Sequence, residues 1–132
     1  MLYFSLNNNS PKVDFKEASI KGQAPDKGLY FPESIAKHEK DFFKNIEQYT
    51  NDEIAYRAIE AYAKESIPES ILEAIVKETV NFPIPLVKVS EDVFSLEMFH
   101  GNTLAFKDIG ARFMSRCLGY FVKDNELNSI SS

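Results

Sequence analysis

Phe99-His100-Gly101-Asn102-Thr103-Leu104-Ala105-Phe106-Lys107-Asp108-Ile109-Gly110-Ala111-Arg112-Phe113 is the stretch on which the reading of this chain turns. It sets one lysine, Lys107, in an apolar run bounded by Gly101 and Gly110. Thr103 is placed to cap a helix, because its hydroxyl can accept from the orphan amides of a first turn. Beyond it, Ile109, Phe113, Met114, Cys117, Leu118 and Phe121 recur every three or four residues, the period of one buried helical face. Lys107 then falls in the first turns of a largely buried helix, at the end whose partial positive charge disfavours a cation. Desolvation among Leu104, Ala105 and Phe106 disfavours an ammonium further, and a neutral amine is a nucleophile. The residues also allow a second reading, a lysine that lays its stem on apolar surface and keeps its charge in water.

The rest of the chain bounds what such a lysine can serve. At 132 residues there is room for about one domain. A net charge of −5 leaves no basic face to neutralise a phosphate backbone, which argues against nucleic-acid binding. Residues 1–9 carry neither a basic n-region nor the apolar core of a signal peptide. The most apolar later stretch, 104–122, is interrupted by Lys107, Asp108, Arg112 and Arg116, so it does not read as a membrane span. A cytoplasmic location is the default expectation. Cys117, the single cysteine, lies on the apolar stripe and reads as a small core residue. His38 and His100 are far apart and have no cysteine at ligand spacing, so no metal site is expected. His38 is expected to be exposed.

Before the central stretch, residues 2–6 read as a short strand ended by Asn7-Asn8-Asn9-Ser10-Pro11. Asp14 offers a helix N-cap with Glu17 in capping-box position, and Gly22 a stop. Pro25-Asp26-Lys27-Gly28 is a turn, with glycine free to take positive φ, before an extended Leu29-Tyr30-Phe31-Pro32. Residues 33–81 read as helical. Phe42, Phe43, Ile46 and Tyr49 make a first apolar edge. Thr50 and Glu53 box a second helix with Ile54, Ala58, Ala61 and Tyr62 on one face, and Pro68 opens a third striped by Ile71, Leu72, Ile75, Val76 and Val80. Residues 86–89 and 93–98 read as strands. The polar end, 123–132, is expected to fray.

Two segments resemble threonine synthases, pyridoxal-phosphate enzymes that make threonine from O-phosphohomoserine. One is Phe99 to Phe113, with its Thr-Leu-Ala-Phe-Lys-Asp run. The other is the opening, carried by Phe15-Lys16-Glu17-Ala18, Gly22, Ala24-Pro25-Asp26-Lys27-Gly28-Leu29-Tyr30 and Pro32-Glu33. The run departs from the family at Asn102, where proline is usual, and at Ile109, where phenylalanine is common.

The resemblance implies that Lys107 carries pyridoxal 5′-phosphate as an imine, with Phe106 beside the cofactor. It also implies an α+β arrangement. Residues 1–85 would form a small N-terminal domain, and 86–122 the first strand and the lysine-bearing helix of a fold type II catalytic domain, followed by the tail 123–132. His100, Thr103, Asp108 and Arg112 are candidate substrate contacts. His100 is equally read as a loop histidine with a backbone partner, and Arg112 as the partner of a surface carboxylate. Family chains are several-fold longer, and their phosphate-binding loop follows the segment matched here. The 132 residues alone are therefore expected to be inactive, with an apolar helix at 104–122 exposed for self-association. The competing reading is a non-catalytic interaction module of the same descent, which would bury that stripe and stay monodisperse.

Overall fold

Elements form where a cap or a turn residue gives the backbone a reason to start or stop. The computed structural model describes the backbone of residues 1–130 and the side chains of residues 1–124. Strand β1 (Tyr3–Ser5) pairs antiparallel with β2 (Tyr30–Pro32), with Phe4 opposite Phe31. Between them helix α1 (Phe15–Lys21) starts where the Asp14 carboxylate accepts from the Glu17 amide at 2.7 Å, and stops at Gly22 with φ of 67°. The Glu17 side chain accepts from Lys21 instead of closing the capping box.

The turn at 25–28 uses its glycine differently from the expectation. Positive φ falls on Lys27, at 64°, and not on Gly28. Gly28 is required by close approach, since a Cβ there would lie 2.0 Å from Ser5 Oγ. The turn is pinned by Asp26, which accepts from Ser5 Oγ at 2.6 Å, from the Gly28 amide at 3.0 Å and from the Asn9 amide at 2.9 Å. Those donors, Ser5 first, hold the Asp26 carboxyl below its usual range.

A short α2 (Lys40–Lys44) and a single 3-10 turn (Ile46–Gln48) follow, and neither buries a residue. Their aromatic rings gather on the surface. Phe42 lies 5.4 Å from Phe43 and 5.5 Å from Tyr49, while the Arg57 guanidinium sits 4.7 Å from the Tyr49 ring. His38 is half-buried against Phe42 at 5.2 Å, rather than exposed. Helix α3 (Asn51–Ala63) opens on the expected capping box, with Thr50 and Glu53 each satisfying the other's backbone. Its inward face is Ala55, Tyr56, Ile59 and Ala63, about one residue round from the expected Ile54, Ala58, Ala61 and Tyr62. Helix α4 (Glu69–Thr79) buries Leu72, Ile75, Val76 and Thr79.

Then comes an antiparallel hairpin, β3 (Leu86–Ser90) and β4 (Val93–Leu96), with a register shift between Lys88 and Ser90. Nearly every residue of the hairpin is exposed, including Leu86, Val89, Val93, Phe94 and Leu96.

Helix α5 (Asp108–Ile130) closes the structure, and it departs from the sequence reading at both of its ends. It begins at Asp108, so Lys107 precedes the helix and is not borne on it, and Thr103 is not its cap. It also runs on through Ile130 where a frayed tail is expected from residue 123; residues 131–132 lie outside the described residues.

The main core is built by α3, α4 and α5: Ala63, Ile67, Leu72, Ile75, Val76, Cys117 and Phe121. Phe15 of α1 packs on this core and on a smaller one of Tyr3, Val13 and Ala18, joining the two. The α5 stripe, expected to lie exposed for self-association, is instead covered by this chain's own helices at Phe113, Cys117 and Phe121, because α3 and α4 supply the apolar surface it packs on; Met114 stays 40 % exposed. Polar contacts fasten the helix at both flanks. Lys16 Nζ lies 2.7 Å from Asp124 Oδ2, and the Arg116 guanidinium pairs with Glu78. No helix among the described residues is long and apolar enough to cross a membrane.

Candidate active site

The segment between β4 and α5 is a chain of tight turns. The Leu104 amide donates to Gly101 O at 3.2 Å, the Asp108 amide to Ala105 O at 3.0 Å, and the Ala111 amide to Lys107 O at 2.9 Å. The last bond makes Lys107 the residue that caps α5 with its own backbone. Leu104 takes a φ of 56°, a left-handed conformation unusual for a side-chain-bearing residue.

A carboxylate organises these turns. Asp108 is 2 % exposed and accepts from the Thr103 amide at 2.9 Å and from Thr103 Oγ1 at 2.5 Å. Both bonds favour the charged form, and with the Arg112 charge nearby they hold the Asp108 carboxyl below its usual range. Gly101 is buried against the same group, where an added Cβ would lie 2.3 Å from Asp108 Oδ2. Two of the candidate substrate contacts, Thr103 and Asp108, are therefore bonded to each other.

The remaining candidates point elsewhere. His100 Nε2 lies 2.7 Å from Glu97 Oε2, and its ring sits 4.8 Å from that of Phe99. Arg112 donates to Asn81 Oδ1 at 2.7 Å and lies 5.3 Å from the Phe82 ring, fastening α5 to the end of α4. Lys107 is exposed, and its side-chain amine makes no hydrogen bond or ion pair among the described residues. Leu104 and Phe106 beside it are 76 % and 69 % exposed, so the apolar enclosure expected around the lysine is absent among the described residues.

Sequence reasoning missed the parts played by Asn81, Phe82, Glu97 and Gly101. Gly101 carried a signal, because a glycine before a Thr-x4-Asp spacing leaves room for the returning carboxylate. The others depend on a fold in which distant segments meet.

Two surface grooves lie away from Lys107. A polar one between α3 and α4 is lined by Asp52, Glu53, Arg57, Glu60, Glu73 and Lys77 among others. An apolar one of about 280 Å³ runs over Ala58, Val76, Val80, Ile109 and Phe113. No group of three or more histidine, cysteine, aspartate or glutamate side chains among the described residues is set to hold a metal ion.

The family model described as threonine synthase N terminus matches residues 2–80. That match ends before Lys107, whereas whole-chain similarities run over it. A threonine synthase from Haemophilus influenzae is 33% identical over 135 aligned residues, covering 100% of this chain and 31% of that one. One from Serratia marcescens is 35% identical over 118, covering 89% and 28%.

Among solved structures, PLP-bound threonine synthase from Brucella melitensis superimposes with a TM-score of 0.90 at 29% identity, over 96% of this chain and 28% of that one. Threonine synthase from Escherichia coli gives a TM-score of 0.86 at 32% identity, over 94% and 29%. The chain spans less than a third of the length of these relatives. With more than half of its residues matched by the family model and its whole length matched by the relatives, the chain belongs to the threonine synthase family and corresponds to the N-terminal portion of its members.

Proposed function

We propose that this chain is the N-terminal portion of a pyridoxal-phosphate-dependent threonine synthase, with Lys107 as the cofactor lysine. The reaction is conversion of O-phosphohomoserine and water to L-threonine and phosphate. The observation that carries this reading is superposition on a PLP-bound threonine synthase over 96% of the chain. The assignment keeps residues 1–85 as the N-terminal domain and 86–122 as the first elements of the catalytic domain, with α5 docked back on the former.

The residues present fit part of the cofactor. Lys107 offers a side-chain amine without a competing partner among the described residues and open to a carbonyl group, while the apolar surroundings that favour a neutral, nucleophilic amine are not supplied by those residues. After it the chain is one continuous helix from Asp108 to Ile130, so the described residues offer no run of loop amides to cradle a phosphate. Pyridoxal phosphate, when bound, supplies an electron sink. Lys107 Nζ would hold the cofactor and then move protons at the reacting carbons, and Phe106 would lend an apolar face beside it. His100, steadied by Glu97, is the candidate for contact with the substrate. Asp108 and Arg112 act on the substrate only through the loop and helix they fasten. Burial of the α5 stripe is shared with the interaction-module reading, but the exposed apolar side chains of the hairpin and loop, among them Leu86, Phe94, Leu96, Leu104 and Phe106, argue against a self-sufficient module, which would bury them.

The test is borohydride reduction of the 132-residue chain with added pyridoxal phosphate, followed by peptide mass mapping. The expected result is an adduct concentrated on Lys107. Reduction spread evenly over the lysines would overturn its assignment as a site this chain preorganises. Threonine formation by the 132 residues alone is expected to be absent, and its detection would overturn the view that the phosphate cradle lies outside them.

A further inference from the structure

Among the groups around Lys107, one is far more constrained than its neighbours. Among the described residues Asp108 is the only charged one that is buried, and its carboxylate accepts from both donors of one threonine. A carboxylate buried to 2 % exposure beside an open loop needs such donors, because desolvating a charge without them is costly.

The contacts also set where the loop can go. Thr103 lies five residues before Asp108, and bonding through both its amide and hydroxyl folds residues 103–107 into a closed arch. Gly101 forms the floor of that arch, since any side chain there would strike Asp108. The left-handed Leu104 completes the reversal. Lys107 is the last residue of the arch and the backbone cap of α5, so its Cα is held from both sides.

We propose that Asp108 is a positioning residue for Lys107: with Thr103 and Gly101 it forms a carboxylate clamp that fixes the arch from which the lysine amine is presented. This rests on the reading of Lys107 as the cofactor lysine. It reassigns Thr103 and Asp108 from substrate contact to holding each other. Their polar atoms are engaged with each other.

The clamp can be tested on the 132-residue chain without cofactor. Hydrogen exchange of peptides spanning 99–107 reads arch closure. Trace acetylation, with Lys107 compared against Lys77, reads presentation of the amine. Urea unfolding of each variant reports whether the global fold persists. In Asp108→Ala and Gly101→Ala, exchange at the Thr103 amide should rise about tenfold or more, as expected when a charge-assisted bond is lost. The Lys107 to Lys77 labelling ratio should shift with it.

Thr103→Val removes the hydroxyl donor and keeps the amide, so it should fall between wild type and Asp108→Ala. Thr103→Ser keeps both donors and should restore wild-type exchange and labelling. If Thr103→Ser behaves like Thr103→Val, or Asp108→Ala leaves exchange over 99–107 unchanged while folding cooperatively, the clamp is overturned. Should Asp108→Ala fail to fold, the Thr103 pair decides the question alone. A protected arch with evenly spread reduction by pyridoxal phosphate would instead defeat the cofactor-lysine reading and leave the clamp standing.

Discussion

Truncating Phe121 tests whether α5 belongs to the core of the N-terminal portion. Phe121 is fully buried, and its ring lies 6.1 Å from Phe15 at a steep edge-on angle and 5.6 Å from Tyr120, with Lys16 Nζ 5.8 Å from its centroid. Phe121→Ala therefore removes buried area and leaves a cavity, which costs about 3–5 kcal/mol. At a urea slope of about 1.5 kcal/mol/M the midpoint should fall by roughly 2–3 M. Against a total stability of about 5–15 kcal/mol that loss can approach the whole. Phe121→Leu, at about 1–2 kcal/mol, is the companion that stays folded. The chain has no tryptophan, so far-UV circular dichroism is the signal to follow. A cycle with Phe15→Ala should return a coupling of about 0.5–1.5 kcal/mol for the edge-on pair. A Phe121→Ala cost below about 1 kcal/mol, or additive single variants, would mean that α5 is not seated on α1, α3 and α4 in solution.

Gly28→Ala should destabilise by about 1–3 kcal/mol through overpacking, since its Cβ would meet Ser5 Oγ at 2.0 Å. Ser5→Ala should rescue it in part only, because the Asn7 amide nitrogen also lies 2.9 Å from that Cβ. Burial pushes the Cys117 thiol up to about 12, and burial with the Tyr62 and Glu65 charges raises the Tyr3 phenol to about 12. The unfolded chain loses these protons from about 8.5 and 10, so above those values the folded state holds more protons and stability falls as pH rises. Urea midpoints should decline between about pH 8.5 and 12, and Cys117→Ala should delay the onset to about pH 10. Finally, size-exclusion chromatography should show concentration-dependent self-association that Phe94→Ser with Leu96→Ser reduces, since both side chains are exposed on the hairpin. A sharp monomer peak for the unaltered chain at high concentration would contradict this.

The sequence was most legible where one residue decides a local event. Asp14, Thr50 and Gly22 end or begin helices as their chemistry dictates. Most of the α4 stripe is also readable, because Leu72, Ile75 and Val76 are aliphatic and spaced at three and four, although Ile71, expected on that stripe, is exposed and Thr79 is buried in line with it. On α3 the alanines blur the period. Ala55 and Ala63 face the core where the spacing pointed to Ala58 and Ala61, and the shift is set by packing in the cluster that holds Leu72 and Val76.

The arch before α5 shows a different limit. Helical spacing from Thr103 onward looks continuous, but the Thr103 hydroxyl and amide bond to Asp108 and hold the backbone out of a helix for another turn. The apolar shell expected around Lys107 failed for a related reason. Leu104 and Phe106 are apolar by composition, yet the described residues contribute nothing that covers them. The family resemblance singles out Lys107 as the proposed cofactor lysine, while its solvation depends on contacts a short segment cannot specify.

The placement of Cys117 and Phe121 in the α3–α4 core has a consequence for the order of manufacture. The match to the threonine synthase N terminus ends at residue 80, but the core of that portion is completed by side chains up to residue 121. During synthesis the apolar faces of Ala63, Leu72 and Val76 have no lid until α5 emerges. At about 5–20 residues per second, the 41 residues from 81 to 121 take roughly 2–8 s to appear. The hairpin and the arch that bears Lys107 are made during that delay, and α5 then docks and closes them off as one loop. A ribosome that stalled between these points would present a half-built helical layer to the chaperones around it.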